Sequence, residues 1–335
     1  MKLYSTIFLG LIGLAVLSLL LAGCSRVLTG DSVVDTGKYG KLMPQVVNPT
    51  NNSEKNSAEN RPIENIEITG SDTMLQLVSN LAEAFKEKDS YVRISVTGGG
   101  SGTGIASLIN GGIDIADSSR KIKPEELQKA NDNGAAAIEI PIARDTLSVI
   151  VNPSNPIDKL TIEELSKIFL GNITNWKELG GADSVITLYG RQSTSGTYVY
   201  FMEEVVKGDY SPKMRSMEGN QAIVDAVSQD KTGIGYTGVG YVMDENRKPI
   251  TSIKTLNLAK NATSEYVTPL DETKIKVYPL SRELYQYLTK TPTKDSAVYR
   301  FIAFIVSNEG QVVVEKAGFV KMSEEEKQRV AEVLQ

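Results

Sequence analysis

The sequence predicts an α/β protein, because one short unit occurs three times along the chain. Each unit is a strand of alternating apolar residues, then a turn rich in glycine and hydroxyl side chains, then a helix. The turns span residues 70–73, 98–104 and 191–197. Units of this kind build helices onto a sheet, with ligands expected beyond the carboxyl ends of the strands.

The first unit begins with Ile66 and Ile68, which alternate with polar residues as in a half-buried strand. After the turn, apolar residues recur at helical spacing from Met74 to Phe85, which predicts an amphipathic helix. The first N–H groups of a helix have no partner within it, so an anion is favoured at this turn.

The second unit has an alternating strand at Val92, Ile94 and Val96, followed by a glycine-rich turn. Glycines permit positive φ angles and a close approach of the backbone to a ligand. The turn is not a Walker A loop, because no Lys-Ser/Thr pair follows it, and it does not match G-x-G-x-x-G. The sequence therefore gives little support for a nucleotide site.

The third unit ends in the turn Arg-Gln-Ser-Thr-Ser-Gly-Thr, which begins at Arg191. The guanidinium group is permanently charged, and its fork suits the paired oxygens of a tetrahedral anion. For one such turn, a polar surface loop is the alternative. The repetition of the layout favours anion binding.

The remaining chain continues to alternate between strands and helices. We expect strands at residues 113–116, 137–142, 147–151 and 233–236, and a strand or crossover at 278–288. We expect helices that start at Pro124, run from 161 to 169 behind a capping box, and cover 222–227, 298–305 and 323–334. Arg144 and Asp145 fall between two of the predicted strands.

Composition narrows the classes of function. The 335 residues carry a net charge of -5 and include no histidine. Ser-His-Asp and Cys-His catalysis and histidine-ligated metals are therefore excluded, and we expect no metal and no cofactor. Nucleic acid selects basic faces, so an acidic chain is a poor candidate for binding it.

The N-terminus has the pattern of a secretory signal peptide over residues 1–23. Cys24 is the only cysteine, and the run Leu-Ala-Gly-Cys resembles a lipoprotein lipobox, which implies cleavage before Cys24 and acylation of its thiol. An ordinary signal peptide with an incidental cysteine is the alternative. The polar residues 24–62 predict a flexible tether, which would hold the protein on a membrane at the cell surface or in the periplasm.

The three turns, together with the run from Asp114 to Arg120 and in this order, resemble the phosphate-binding receptor family of phosphate-specific ABC transporters. The resemblance extends from residue 63 to the C-terminus. It implies a type II periplasmic-binding-protein fold, with two α/β lobes joined by crossover strands and phosphate in the cleft. The lobes would hold residues 63–148 plus 282–335 and residues 149–281. It also implies a permease and an ATPase as partners, and we expect a monomer.

The resemblance implies phosphate contacts at the matching positions of the turns. They are Thr73, Met74 and Ser101 in the first lobe, with Ser71, Gly102 and Thr103 as neighbouring candidates, and Arg191, Ser195, Gly196 and Thr197 in the second lobe. Most are hydroxyl or backbone donors, which suit an oxyanion. Arg191 is expected to be the main charged donor.

One position departs from the family pattern. The family has an Asp that accepts the proton of hydrogen phosphate and repels sulfate, whereas this chain has Ser119, which can donate or accept. We include Ser119 in the predicted site and nominate Asp145 as the replacement carboxylate. The alternative for Asp145 is an ion pair with a neighbouring arginine.

Two other functions stay open at this point. One is a receptor for another oxyanion, such as sulfate or molybdate. The other is a secreted phosphatase with Ser195 as nucleophile, but the chain has no histidine and the loop has no lysine to act as its base. We therefore expect a binding protein and not an enzyme.

Overall fold

The computed structural model describes residues 61–335. The predicted signal peptide, Cys24 and the tether up to residue 60 lie outside the described residues. The strands are β1 (Glu64–Gly70), β2 (Val92–Thr97), β3 (Ile115–Ser118), β4 (Ile138–Thr146), β5 (Ser148–Val151), β6 (Lys159–Thr161), β7 (Thr187–Arg191), β8 (Arg215–Met217), β9 (Gly233–Thr237), β10 (Lys254–Thr255), β11 (Asn257–Ala259) and β12 (Ser281–Leu288). The α-helices are α1 (Leu75–Lys86), α2 (Ser101–Ile109), α3 (Pro124–Asp132), α4 (Ile162–Leu170), α5 (Gly196–Phe201), α6 (Asn220–Gln229), α7 (Ala297–Val306), α8 (Asn308–Lys316) and α9 (Glu324–Val333).

The first sheet has the strand order β2-β1-β3-β12-β4. Strand β1 runs parallel to β2 and β3, so the turns that follow β1 and β3 lie at the same edge of the sheet. Ile66 and Ile68 are fully buried and belong to one apolar core with Leu77 of α1 and Phe301 of α7. The alternation seen in the sequence thus reflects burial of one face of this sheet.

The second sheet has the strand order β10-β5-β9-β7-β8, and β11 pairs separately with β6. Strand β7 runs parallel to both β8 and β9. Its core includes Phe169, Trp176, Phe201 and Tyr236. We refer to the first sheet with its helices as the first lobe and to the second sheet with its helices as the second lobe.

Two connections link the lobes. Strand β4 of the first sheet ends at Thr146, and after Leu147 the chain enters β5 of the second sheet. The chain returns between β11 and β12, and β12 lies antiparallel to β4. The crossover strands therefore run side by side where the lobes join.

The prediction that Arg144 and Asp145 lie between two strands was wrong, because both residues belong to β4. Asp145 stands opposite Arg282 in the β4–β12 ladder, and Arg144 exchanges backbone hydrogen bonds with Val320. These pairings satisfy the backbone of the polar residues, so the strand continues to Thr146. The capping box at Thr161 is confirmed, since its hydroxyl accepts a hydrogen bond from Glu164 N at 3.2 Å.

Helix α5 of the third unit begins at Gly196, within the turn predicted at residues 191–197. Ser195 is its N-cap, and the Ser195 hydroxyl accepts hydrogen bonds from Thr197 N and Tyr198 N. A π-helical segment, Met202–Val206, continues the helix. Within residues 61–335, no single helix is long and apolar enough to cross a membrane, although the bent pair α7 and α8 meets that test when taken together.

Candidate anion-binding site

Four hydroxyl groups from the predicted turns meet where the two lobes touch. Thr73 Oγ1 of the first lobe lies 2.8 Å from Thr197 Oγ1 of the second, and Ser119 Oγ lies 3.4 Å from both Thr197 Oγ1 and Ser101 Oγ. All four residues are at most 1% exposed. We refer to Thr73, Ser101, Ser119 and Thr197 as the hydroxyl cluster. The structure thus brings together four residues that the sequence predicts as ligand contacts.

Parallel strands explain why these turns converge. Strands β1 and β3 are neighbours, so Thr73, which follows β1, and Ser119, which follows β3, lie at one edge of the first sheet. Ser101 comes from the first turn of α2, and Ser119 N donates to its hydroxyl at 3.1 Å. Thr197 is the second residue of α5, which begins directly after the turn that follows β7.

Arg191 is the last residue of β7 and is fully buried. Its guanidinium forms an ion pair with Asp72 of the first lobe and donates to Glu218 O at 2.8 Å. Asn220, with its amide oriented to satisfy its neighbours, accepts from Arg191 Nη1 at 3.1 Å and from Thr73 N at 3.3 Å. Arg191 Nε is buried and has no hydrogen-bond partner in the part of the chain that the structure describes. A buried cation with a donor to spare favours an anion beside it.

A second buried guanidinium, Arg282 of β12, is a residue that the sequence reasoning missed. Arg282 Nε and Nη2 donate to Asp145 Oδ2 at 3.0 and 2.7 Å, and Nη2 also donates to Thr197 Oγ1 at 3.0 Å. Its Nη1 is buried and has no hydrogen-bond partner from residue 61 onwards, and its guanidinium lies 5.0 Å from the ring centre of Tyr200. A signal was present, because Arg282 and Gln286 alternate with Leu284 and Leu288 on the face of a strand that the apolar residues mark as buried.

Asp145 is fully buried, and donors surround both of its oxygens. Asp145 Oδ2 accepts two hydrogen bonds from Arg282, and Oδ1 accepts one from Val239 N at 2.9 Å. The alternative considered for Asp145, an ion pair with an arginine, is therefore present. The partner lies far along the chain and not next to it.

Gly196 lies where a side chain would not fit. A Cβ atom at this position would come within 2.3 Å of Ser101 Oγ and 2.8 Å of Ser119 Oγ. Ser195, beside it, accepts from two backbone N–H groups, so its hydroxyl proton remains free to donate. Gly196 thus lies against the hydroxyl cluster, and the Ser195 hydroxyl contacts the backbone of Thr197.

Three of the four remaining predicted donors already have hydrogen-bond partners within the protein. Met74 N donates to Ser71 O at 3.0 Å, and Gly102 N donates to Thr194 O of the second lobe at 2.9 Å. Thr103 Oγ1 donates to Gly99 O at 2.8 Å. Ser71 Oγ is buried and has no hydrogen-bond partner within residues 61–335. The structure therefore joins none of these four groups to the hydroxyl cluster by a hydrogen bond.

A further buried carboxyl group belongs to Asp117, two residues before Ser119 of the cluster. Asp117 of β3 is 1% exposed, and Gln286 Nε2 of β12 donates to its Oδ1 at 3.0 Å. Burial raises the pKa of the Asp117 carboxyl to about 8, and the hydrogen bond from Gln286 opposes that rise. At neutral pH this group is therefore largely protonated and adds little negative charge.

The charges around the cluster are arranged in pairs. Arg191 is paired with Asp72 and Arg282 with Asp145, and each arginine keeps one buried nitrogen that has no hydrogen-bond partner among the described residues. Pairing offsets the cost of burying the guanidinium groups, while the free N–H donors and the cluster hydroxyls can still bind oxygen atoms. This set of donors suits a small tetrahedral oxyanion.

Two α/β lobes that are joined by crossover strands and meet at buried anion donors have the architecture of a solute-binding protein. Residues 55–309 match the family model of a PBP superfamily domain, so the chain belongs to the PBP superfamily. The predicted fold, a periplasmic-binding-protein fold of two α/β lobes, is confirmed by this match and by the solved structures that the chain resembles.

Relatives agree with the resemblance seen in the turns. The chain is 34% identical over 275 residues to the phosphate-binding protein PstS of Pseudomonas aeruginosa, which covers 77% of this chain and 83% of that protein. A candidate phosphate ABC transporter substrate-binding protein of Clostridium perfringens, solved with bound phosphate, superposes with a TM-score of 0.68 at 30% identity, covering 78% of this chain and 100% of that one. An ABC-type phosphate transport receptor of Vibrio cholerae gives a TM-score of 0.61 at 27% identity, covering 77% and 100%.

Proposed function

We propose that this protein is an extracytoplasmic receptor that captures inorganic phosphate between its lobes and delivers it to a phosphate ABC transporter. The observation that carries the proposal is the fully buried Arg191, which Asn220 links to Thr73 of a hydroxyl cluster contributed by both lobes. The names of the relatives support phosphate as the ligand. A permease and an ATPase would be the partners that receive it.

The ligand contacts in this proposal are the cluster hydroxyls, Arg191, Ser195 and Gly196. The lobes proposed to close on the ligand are residues 63–148 plus 282–335 and residues 149–281. The unused donors support a bound anion, because each arginine pairs with one carboxylate and keeps a buried nitrogen that has no hydrogen-bond partner within residues 61–335. Met74, Ser71, Gly102 and Thr103 would line the site without carrying its charge.

An anchored location is part of the proposal. Cleavage before Cys24 and acylation of its thiol would place the receptor on a membrane, with the tether extending to residue 62. A receptor that delivers its ligand to a membrane complex gains effective concentration from such an anchor. We propose that it acts there as a monomer.

The phosphatase alternative finds no support around Ser195. Its hydroxyl accepts from two backbone N–H groups as a helix cap, and no basic side chain of residues 61–335 donates to it or accepts from it. Nucleophilic catalysis needs a base within hydrogen-bond reach of the nucleophile. A binding role explains the same contacts without one.

Calorimetry on the mature protein tests the function. Phosphate and arsenate should bind with one-to-one stoichiometry, and sulfate and molybdate more weakly. A chromogenic phosphate ester should not be turned over. Binding of sulfate or molybdate in preference to phosphate would reassign the receptor to another oxyanion, and steady turnover of the ester would make it an enzyme.

A further inference from the structure

The amide oxygen of Asn220 accepts hydrogen bonds from both lobes. Arg191 Nη1 of the second lobe donates to it at 3.1 Å, and Thr73 N of the first lobe donates to it at 3.3 Å. A guanidinium and a backbone N–H can only donate, and an amide oxygen can only accept, so the direction of both bonds is fixed. Asn220 therefore joins two of the proposed ligand contacts, one from each lobe, through a single atom.

The Asn220 side chain is itself held by its surroundings. Asn220 is the first residue of α6 and is buried. Its amide nitrogen donates to Thr237 Oγ1 of β9 at 3.2 Å, and the side chain also hydrogen-bonds with the Tyr241 hydroxyl. With its nitrogen engaged in this way, the amide presents its oxygen to Arg191 and Thr73. The acceptor thus has a fixed position when the lobes are in contact.

The two terminal nitrogens of Arg191 differ in how many partners they have. Nη2 pairs with Asp72 and donates to Glu218 O at 2.8 Å, whereas Nη1 has Asn220 as its only hydrogen-bond partner among residues 61–335. A planar fork that is anchored at one nitrogen can still rotate, and a second anchor at the other nitrogen stops that rotation. Asn220 therefore sets the orientation of the guanidinium, including the position of the unpartnered Nε.

The acceptor at position 220 carries no charge, which matters beside a site for an anion. Asp72 already offsets the charge of Arg191. A second carboxylate at the guanidinium would leave the neighbourhood with an excess of negative charge and repel the ligand. An amide oxygen accepts the same hydrogen bond without adding charge. Asn220 therefore orients Arg191 and leaves its attraction for an anion in place.

We propose that Asn220 is a positioning residue for the bound anion, which orients Arg191 in the second lobe and Thr73 in the first through one neutral oxygen. The inference rests on the proposed function and concerns the same site. Because the bond from Thr73 N spans the lobes, Asn220 also links the orientation of Arg191 to the contact between them.

Calorimetric titration of Asn220→Ala with phosphate tests this role. The variant leaves Arg191 Nη1 and Thr73 N without their shared acceptor, so both ligand contacts become less ordered. Phosphate affinity should fall about tenfold, the loss expected when a hydrogen bond to a charged group is removed. Thermal melts of the same protein give the structural effect separately.

Asn152→Ala is the matched control. Asn152 is also a buried asparagine of the second lobe, and its Nδ2 donates to Val227 O at 3.2 Å and to Ser228 O at 2.9 Å. None of these contacts involves Arg191 or the hydroxyl cluster. The control should lower the melting temperature and leave phosphate affinity as it is.

Asn220→Asp separates positioning and charge from support of the fold. One carboxylate oxygen can accept from Arg191 Nη1 and Thr73 N, and the other can accept from the Thr237 hydroxyl, so the melting temperature should fall less than in Asn220→Ala. Phosphate affinity should nevertheless fall about tenfold or more, because the new charge offsets Arg191 and repels the anion. A residue that only supports the fold would not separate affinity from stability in this way.

A double-mutant cycle shows whether Asn220 acts through Arg191. Asn220→Ala should cost clearly less phosphate affinity in an Arg191→Ala background than in the wild type, because the guanidinium that it orients is then absent. If the two single losses multiply in the double variant, Asn220 acts independently of Arg191 and the proposal is overturned.

Other results also decide against the proposal. Wild-type phosphate affinity in Asn220→Ala, or an equal loss in Asn152→Ala, would remove the positioning role. Should Asn220→Ala not fold, Asn220→Asp decides, since unchanged phosphate affinity in that variant would mean that position 220 has no influence on the anion. Failure of the wild type to bind phosphate would instead refute the proposed function.

Discussion

Asp72 and Arg191 form an ion pair between the lobes, in which the arginine is fully buried and the aspartate side chain keeps 17% of its surface exposed. The aspartate is held in turn by Gly99 N, so the glycine-rich turn supports the guanidinium indirectly. The arginine therefore has a fixed position when both lobes are in contact. A preorganised donor gives more affinity than one that must be ordered on binding.

Arg191 variants test this arrangement. Arg191→Ala should weaken phosphate binding by about ten- to a hundredfold, since it removes a charge-assisted hydrogen bond. The phosphate affinity of Arg191→Lys should lie between those of the wild type and Arg191→Ala. One ammonium group lacks the planar fork that reaches Asp72, Glu218 O and Asn220 together. The measurement is calorimetric titration, and unchanged affinity in the alanine variant would remove Arg191 from the site.

Arg300→Ala is the control for a lost ion pair. Arg300 pairs with Glu64 and Asp89 in the first lobe and makes no contact with the cluster. Its replacement should lower thermal stability slightly and leave phosphate affinity as it is. An equal loss of phosphate affinity in Arg191→Ala and Arg300→Ala would point to a general effect of removing an arginine.

Gly196 should tolerate no side chain if the cluster binds the ligand. In Gly196→Ala the new methyl group would lie 2.3 Å from Ser101 Oγ, which forces the two hydroxyl-bearing turns apart. Phosphate affinity should fall by tenfold or more, while the melting temperature changes less, because alanine favours the helix start. Gly112→Ala, whose Cβ would meet only an ordinary contact with Ser107 O at 3.7 Å, should bind normally.

Asp117 gives the protein a pH-dependent stability. Burial raises the pKa of its carboxyl from an ordinary value of 3.8 to about 8, so the folded state holds a proton that the unfolded chain releases. The stabilisation is complete below pH 3.8 and is lost as pH rises through 8. Asp117→Asn stays neutral, so the stability of the wild type relative to this variant should fall across that range. Urea unfolding at several pH values measures it, and a constant difference would contradict the shift.

The anchor can be tested on the full-length chain. Cys24→Ser removes the only thiol, so acylation cannot occur, and the protein should move from the membrane fraction to the medium or the periplasm. Fractionation followed by detection of the protein measures this. A serine variant that stays with the membrane to the same extent would show that Cys24 is not the attachment point.

Much of the fold was predictable because its signals are local. The alternation of Ile66 and Ile68, the capping box at Thr161 and the glycine-rich turn before Ser101 each depend on neighbours in the chain. The roles of Thr73, Ser119 and Thr197 were instead implied by the family resemblance, since Thr73 meets Thr197 across 124 residues. Local signals thus indicate the elements that carry the hydroxyl half of the site.

The charged half of the site depends on pairs that are distant in the chain. Asp145 meets Arg282 across 137 residues, and Asp72 meets Arg191 across 119. The pairing of β4 with β12 places Arg282 opposite Asp145, and no spacing rule contains that information. The same limit explains why the sequence left open whether Asp145 faces the ligand or pairs with an arginine.

Tyr241 provides a test of lobe closure that leaves the ligand contacts untouched. Its hydroxyl, in the second lobe, donates to Asp72 O of the first lobe at 2.6 Å. Tyr241→Phe removes this bond together with the hydrogen bond between the hydroxyl and Asn220 of the second lobe, so closing should become less favourable by about 1 kcal/mol and phosphate should dissociate about fivefold faster. Stopped-flow displacement measures that rate. Tyr210→Phe is the control, because Tyr210 bonds to Tyr198 O and Tyr236 within the second lobe and should affect stability only. Equal dissociation rates for the wild type and Tyr241→Phe would mean that this contact does not contribute to closure.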